Sequence, residues 1–199
     1  MFYPSRSSGL LPATFAGLVV ALSTSASWGA VVFTEATDGD ASNSGGLPTV
    51  ITLAAGDNEI IGSTGANDRD HFTFTIGANE TVTSFFVNEF SGSGNHFFGV
   101  SEGTTLPTAG NQFLIADLIS ANETPFNVLG APGGTFGGMG VPNELGPGSY
   151  TVLFNETAGG TFNYRANIAV TAVPEPSTAG VALLFTGCIW AHRRRRRRG

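Results

Sequence analysis

The sequence predicts an all-β fold, a single antiparallel β-sandwich of jelly-roll type. Charged residues make up only 12% of the 199 residues, whereas 28 glycines and 16 phenylalanines are present. Short segments rich in β-branched and aromatic residues recur between Gly, Asn, Asp and Pro turns, a pattern typical of β-sandwiches. One core can be buried by a chain of this length. We therefore expect one domain over residues 31–172.

Seven segments are predicted as strands. They cover residues 49–53, 70–76, 81–87, 96–101, 112–119, 149–155 and 161–170. The alternation is clearest in the second segment, where Phe72, Phe74 and Ile76 share one face and leave His71 on the other, as in a half-buried strand. The fifth segment is also compatible with a helix, and the strand is preferred.

The connections between these segments are predicted from their turn residues. Residues 77–80 and 156–160 are short and rich in Gly, Ala and Asn or Thr, which favours two hairpins. Residues 130–147 contain too many glycines for a regular element, so they are predicted to form a long surface loop.

Charge is distributed unevenly along the chain. Residues 31–173 contain fourteen acidic residues, and their only lysines or arginines are Arg69 and Arg165. Such an acidic body repels phosphate backbones, which argues against a nucleic-acid partner. The single cysteine, Cys188, excludes an intramolecular disulfide.

The first thirty residues have the three parts of a secretory signal peptide. Arg6 provides the positive charge, residues 9–22 form an apolar stretch, and residues 23–30 are small or polar, with cleavage expected between Ala26 and Ala30. The prediction is a signal helix at residues 1–30 and an exported protein.

The other end combines a short apolar segment with a block of arginines. Residues 179–191 are apolar or small, and as a helix they would span roughly 20 Å, less than the ~30 Å hydrocarbon core. Long cationic side chains can reach the headgroups and allow a short helix to span, and they remain on the cytoplasmic side. A membrane helix at residues 178–191 is predicted, and a nucleic-acid arm or a solvated tail are the alternatives. The anchoring residues are Arg193, Arg194, Arg195, Arg196, Arg197 and Arg198.

The order of elements in residues 173–199 resembles the PEP-CTERM sorting signal of bacterial exported proteins. Pro174, Glu175 and Pro176 precede the apolar helix and the arginine block, and two prolines around a glutamate favour an extended segment with few hydrogen bonds. The resemblance implies processing at this motif by exosortase, a membrane transpeptidase. It also implies transient anchoring in the inner membrane, release to the envelope or the medium, and a producer of extracellular polysaccharide.

The body resembles the pre-peptidase C-terminal-like β-sandwich module of secreted bacterial peptidases. The similarity lies in residues 67–76, with an Asp-x-Asp-x-Phe-x-Phe pattern, and in residues 146–170, with a Gly-x-Tyr pattern followed by Asn, Gly and Tyr. The resemblance implies a binding or spacing role and no catalysis.

Catalytic and metal sites have weak support in the sequence. His71 lies beside Asp68 and Asp70, but no Gly-x-Ser-x-Gly elbow is present, so we interpret His71 as a surface histidine and predict no catalytic residue. Carboxylates two residues apart, as in Asp38/Asp40 and Asp68/Asp70, have the spacing of calcium ligands. Neither pair continues into a full calcium-loop motif, so no metal site or cofactor is predicted and calcium is left open.

These features together predict an exported, non-enzymatic protein of the cell envelope or extracellular matrix, with a structural or adhesive role alongside polysaccharide. The alternative is a carbohydrate-binding β-sandwich. Adjacent phenylalanines point to it, because in a regular strand one member of each pair must face away from the core. The pairs are Phe85/Phe86 and Phe97/Phe98.

Overall fold

Ten strands form two facing sheets in a computed structural model that describes residues 29–173. The strands are β1 (Ala30–Thr34), β2 (Thr49–Val50), β3 (Gly56–Thr64), β4 (Arg69–Ile76), β5 (Glu80–Ser91), β6 (Asn95–Glu102), β7 (Ile115–Ser120), β8 (Phe126–Asn127), β9 (Gly148–Asn155) and β10 (Phe162–Ala172). The predicted signal peptide, sorting motif, membrane helix and arginine tail lie outside the described residues.

The two sheets have five strands each. Sheet A has the order β1-β3-β10-β5-β8, and sheet B has the order β2-β4-β9-β6-β7. This arrangement confirms the predicted all-β sandwich. The pairs β1/β3 and β2/β4 are parallel, whereas every other strand pair is antiparallel, so the prediction of a purely antiparallel sandwich is wrong at one edge of each sheet.

The parallel pairs follow from the way in which the chain alternates between sheets. The first six strands lie in sheets A, B, A, B, A and B in turn. A turn from one facing sheet to the other reverses the chain, so two successive crossings restore its direction. Strands β1 and β3 therefore run the same way, as do β2 and β4, while β10 and β9 later insert between the strands of each sheet.

The same alternation shows that the two predicted hairpins are wrong. Residues 77–80 do form a turn, in which the Glu80 N–H donates to the Gly77 carbonyl at 3.1 Å. That turn joins β4 of sheet B to β5 of sheet A, and residues 156–160 likewise join β9 to β10 across the sandwich. Strands β6 and β7 are consecutive strands that pair within one sheet.

Aromatic rings fill the space between the sheets. Phe154 of β9 stacks on Tyr164 of β10 with ring centres 4.0 Å apart and planes within 6°. Phe98 of β6 meets Phe85 of β5 edge to face at 6.2 Å. Edge-to-face and offset pairs of this kind contribute about 0.5–1.5 kcal/mol beyond the area that they bury. The alternation of strand side chains places these rings inside, as expected for Phe72 and Phe74.

Three strands were not predicted, and two predicted segments are shorter than expected. Strands β1, β3 and β8 were missed, only Thr49–Val50 of residues 49–53 is a strand, and residues 112–119 contain β7 after a 3-10 turn at Gly110–Gln112. Residues 130–147 lack a regular element, as predicted, but Val141 and Leu145 from this loop are buried in the core. Helical structure in residues 29–173 consists of α1 (Glu35–Asp38) and two 3-10 turns. None of these described helices could cross a membrane.

Candidate functional site

An acidic cluster of Glu35, Asp40 and Asp70 lies where three segments meet. Glu35 is the first residue of α1, Asp40 follows Gly39, and Asp70 is the second residue of β4. Gly39 has a φ of 86°, a conformation that glycine adopts without strain and that redirects the chain after the single helical turn. One carboxylate oxygen from each of the three acidic residues lies within 4.8 Å of the other two.

Asp70 is the buried member of the acidic cluster. Its side chain is 0% exposed, and its Oδ2 accepts a hydrogen bond of 2.7 Å from the Tyr164 hydroxyl of the opposite sheet. The other oxygen, Oδ1, accepts no hydrogen bond from an N–H group or a hydroxyl of the described residues. Burial raises the pKa of Asp70 to about 8, and the Tyr164 hydrogen bond opposes that shift. The negative charge of Glu35, a proton shared between the Asp70 and Glu35 carboxyl groups, and the negative charge of Asp68 reinforce the shift. Burial also raises the pKa of Tyr164, so its hydroxyl stays protonated and donates.

Glu35 is held in place by strand β3. Its Oε2 accepts hydrogen bonds from the Ser63 backbone N–H at 2.8 Å and from the Ser63 hydroxyl at 2.9 Å. Its Oε1 is buried and accepts no hydrogen bond from an N–H group or a hydroxyl of the described residues. Gly62 makes this approach possible, since a Cβ there would overlap the Tyr164 hydroxyl and lie 2.8 Å from Glu35 Oε1.

No ion pair neutralises the acidic cluster within residues 29–173. The ion pair found there joins Arg165 to Glu59 at 3.5 Å, away from the acidic cluster. A further carboxylate, Asp68, lies nearby, and its pKa is raised by burial and then by the charges of Asp40 and Glu35. Unbalanced negative charge is therefore concentrated at this end of the sandwich.

The structure brings together one member of each acidic pair noted in the sequence. Asp40 and Asp70 belong to the acidic cluster, whereas the Oδ2 of Asp38 accepts the Thr34 N–H at 2.8 Å. Glu35 was missed by the sequence analysis. A signal was present, because Glu35 and Asp38 are the two ends of a single helical turn that stops before Gly39. The sequence does not show that this turn lies against β1 and β3 and brings the Glu35 carboxylate close to that of Asp70.

His71 is buried, so the prediction of a surface histidine is wrong. The side chain does lie on the outer face of β4, but Ser42 and Gly45 of the preceding segment lie against it, and it is only 4% exposed. Its Nδ1 lies 2.9 Å from the Ser42 carbonyl oxygen, while Asp70 points the other way, towards Tyr164. Because the two side chains point in opposite directions, His71 and Asp70 do not form part of one Ser/His/Asp triad.

A second candidate site, the aromatic groove, lies on the outer face of sheet B. Phe97 and Leu118 are cross-strand partners there, and Asn155 is paired with Phe97 on the other side. Phe136, from the glycine-rich loop, is 48% exposed, and its ring centre lies 5.4 Å from that of Phe97. The groove has a volume of about 550 Å³. Its lining residues are Gly94, Asn95, Phe97, Leu118, Phe136, Asn155, Thr157 and Ala158.

The aromatic groove contains Phe97, a member of one of the two phenylalanine pairs noted in the sequence. Phe85 and Phe98 are fully buried, and Phe86 and Phe97 are the partly exposed members on opposite outer faces. Phe97 is flanked by a second exposed ring, Phe136, which the sequence analysis placed only in a loop. The sequence-predicted sorting residues Pro174, Glu175 and Pro176 and the arginines at 193–198 lie outside the described residues.

Comparison with known proteins assigns no family to this chain. No protein-family profile matches it, and no curated protein matches it. Among solved structures, PliG of Aeromonas hydrophila, a periplasmic lysozyme inhibitor of g-type lysozyme, is 17% identical with a TM-score of 0.35, over 62% of this chain and 96% of that one. PliG of Salmonella Typhimurium, also a periplasmic lysozyme inhibitor of g-type lysozyme, is 13% identical with a TM-score of 0.33, over 62% of this chain and 98% of that one. Likeness at this level assigns neither a family nor an activity.

Proposed function

We propose that this chain is an exported, non-enzymatic protein of the cell envelope or extracellular matrix whose β-sandwich binds extracellular polysaccharide. Its signal peptide directs export. Its C-terminal helix and arginines hold it in the inner membrane until exosortase cleaves at Pro174, Glu175 and Pro176. The sequence supports export and processing, and the aromatic groove supports the choice of carbohydrate as the ligand.

The aromatic groove is the observation that carries the binding role. Sugar rings present C–H faces that pack on aromatic rings, and their hydroxyls need hydrogen-bonding groups beside those rings. Phe97 and Phe136 supply two adjacent rings, and Asn95, Asn155 and Thr157 line the same groove. A volume of about 550 Å³ lies within the roughly 300–1,000 Å³ typical of small-ligand sites.

The non-enzymatic part of the proposal is supported by the environment of the histidines in residues 29–173. His71 contacts a backbone carbonyl under a covering segment, and His96 stacks on Phe162 with ring centres 3.9 Å apart. Both side chains are buried. Neither is presented beside a nucleophile in the aromatic groove, where a substrate would be bound.

A binding experiment tests the role of the aromatic groove. The full-length chain in detergent is run by affinity electrophoresis through gels containing the producer's own extracellular polysaccharide. We expect retardation of the wild type, and at least a roughly fivefold weaker retention for Phe136→Ala, because removal of an exposed stacking ring eliminates the apolar contact with the sugar.

Phe86→Ala is the matched control for Phe136→Ala. Phe86 is a partly exposed phenylalanine on the outer face of the opposite sheet, so its loss removes a similar side chain at a distance from the aromatic groove. Equal retention of Phe86→Ala and wild type is expected. A wild type that migrates freely, or a Phe136→Ala variant retained as strongly as wild type, would refute carbohydrate binding at this site.

A further inference from the structure

We propose that Glu35, Asp40 and Asp70 form a calcium-binding site that links the N-terminal segment of the sandwich to strand β4. The inference is independent of the aromatic groove and of polysaccharide binding. It rests on the convergence of three carboxylates from separate segments and on two buried carboxylate oxygens that accept no hydrogen bond from an N–H group or a hydroxyl of the described residues.

The geometry of the acidic cluster suits a hard cation of calcium's size. Calcium is bound by oxygen ligands at about 2.3–2.6 Å, so two oxygens on one ion are separated by at most about 5 Å. The three carboxylate oxygens of the acidic cluster lie within 4.8 Å of one another. All three can therefore contact a single calcium ion with little movement.

The unpartnered oxygens point to a ligand independently of the charge. Asp70 Oδ1 is buried in a side chain that is 0% exposed, and Glu35 Oε1 is buried as well. Most buried polar atoms have a hydrogen-bond partner, because a buried polar atom without one has lost its hydrogen bonds to water and gained none in return. Oxygen atoms that lack a protein donor and lie beside each other are suited to a cation or a shared proton.

The second oxygen of each buried carboxylate is already oriented by the protein. Tyr164 holds Asp70 through Oδ2, and Ser63 holds Glu35 through Oε2. These bonds leave Asp70 Oδ1 and Glu35 Oε1 for the ion. Supporting hydrogen bonds to ligating carboxylates are a regular feature of protein metal sites. Exposed Asp40 would complete the protein side, and water would supply the remaining oxygens.

The placement of the ligands defines what the ion would do. Glu35 follows β1 of sheet A, Asp40 lies on the segment that crosses to sheet B, and Asp70 belongs to β4 of sheet B. A calcium ion bound to all three would fasten this crossing segment to the core. The ion therefore has a structural role in the body, separate from the aromatic groove at β6 and β7.

Calorimetry with calcium alone tests the site. The full-length chain in detergent is stripped with a chelator and titrated with CaCl2 at about pH 7.5. We expect one calcium per chain with a dissociation constant of about 0.1–1 mM, as in extracellular calcium modules. At calcium about tenfold above that constant, the thermal midpoint should rise by about 3–6 °C.

Charge-neutralising variants identify the ligands. Glu35→Gln and Asp40→Asn should each weaken calcium binding by about tenfold or more, whereas Glu144→Gln, an exposed site in the 130–147 loop, should bind as wild type. Asp40 is exposed, so Asp40→Asn provides a test even if a substitution at buried Asp70 prevents folding.

The competing explanation is that Glu35 and Asp70 share a proton and bind no metal. In that case calcium would produce no binding heat and no shift of the thermal midpoint, and Glu35→Gln would stabilise the protein equally with and without calcium. That set of results would overturn the proposal. Equal calcium affinity for Glu35→Gln, Asp40→Asn and Glu144→Gln would overturn it too, because it would show binding without these ligands.

Discussion

His96 shows how a single side chain makes the stability of this protein depend on pH. The ring is 2% exposed and stacks on Phe162 at 3.9 Å, close to Phe90 at 6.1 Å. Neither ring nitrogen has a hydrogen-bond partner among the described residues. Burial lowers the pKa of His96 from its ordinary value of 6.5, and the negative charge of Glu156 opposes the shift.

The lowered pKa of His96 predicts a loss of stability in mild acid. Between pH 6.5, the ordinary pKa of the side chain, and the lower pKa of the folded state, the unfolded chain binds more protons. The free energy of unfolding therefore falls as pH falls through that window. The substitution His96→Phe keeps an aromatic ring against Phe162 and removes the group that is protonated. We expect this variant to lose less stability than wild type between about pH 7 and pH 5 in urea unfolding.

Comparison of the wild type with His96→Phe separates the contribution of His96 to the pH dependence of stability from that of the other buried histidine. His71 also has a pKa lowered by burial, so a residual pH dependence should remain in His96→Phe. A variant that keeps the full wild-type slope over the same pH range would show that His96 does not contribute.

Strand β3 shows how an element with weak sequence signals forms through its neighbours. Its sequence, GDNEIIGST, is rich in residues that are depleted in strands, which explains why it was not predicted. Asn58 is buried there, and its Nδ2 donates to the carbonyls of Ala54, Gly56 and Ile168. Pairing with β1 and β10 on either side supplies the remaining backbone hydrogen bonds.

A substitution at Gly62 tests the close packing of strand β3 against Tyr164 and Glu35. Gly62→Ala would place a methyl group against the Tyr164 hydroxyl and Glu35 Oε1, so the inter-sheet contact between Tyr164 and Asp70 would have to shift. We expect a loss of about 1–3 kcal/mol in the free energy of unfolding, typical of overpacking in a core. Urea unfolding followed by circular dichroism measures it.

Gly160→Ala is the control for Gly62→Ala. Gly160 lies in the turn between β9 and β10, and a Cβ there would meet no atom within 4 Å. A change within about 0.5 kcal/mol is expected, as for an ordinary surface substitution. Equal effects at the two glycines would contradict the close approach of Tyr164 and Glu35 to Gly62.

At the scale of the whole molecule, we propose that residues 173–199 act as a sorting signal that determines where the body is delivered. Deletion of residues 174–176, with the apolar helix and arginines kept, should leave the body attached to the inner membrane in the native producer. The reason is that the anchor remains and the processing site is gone. Immunoblots of membrane and medium fractions would measure this distribution.

A producer strain without exosortase is the control for the deletion. Wild-type chain in that strain should show the same larger, membrane-bound species as the deletion in the parent strain. Normal maturation of the deletion variant would contradict processing at Pro174, Glu175 and Pro176.

Much of the architecture could be predicted because strand signals are local. In residues 70–76 and 149–155 the side chains alternate between faces with period two, and the predicted strands agree closely with β4 and β9. The acidic cluster could be predicted only in part. The spacing of Asp40 and Asp70 from their neighbouring carboxylates was visible, but the contribution of Glu35 depends on contacts with residues distant in sequence, Ser63 of β3 and Asp70 of β4.

By itself, the sequence determined that this chain is an all-β protein, since low charge, frequent glycine and alternating strands are properties of short segments. Only the tertiary structure decided that the turns at residues 77–80 and 156–160 cross between sheets. It also decided that Glu35 meets Asp70 and that Phe136 lies beside Phe97. The physical reason is that sheet membership and contacts between distant segments depend on how buried faces pack together, which no local pattern specifies.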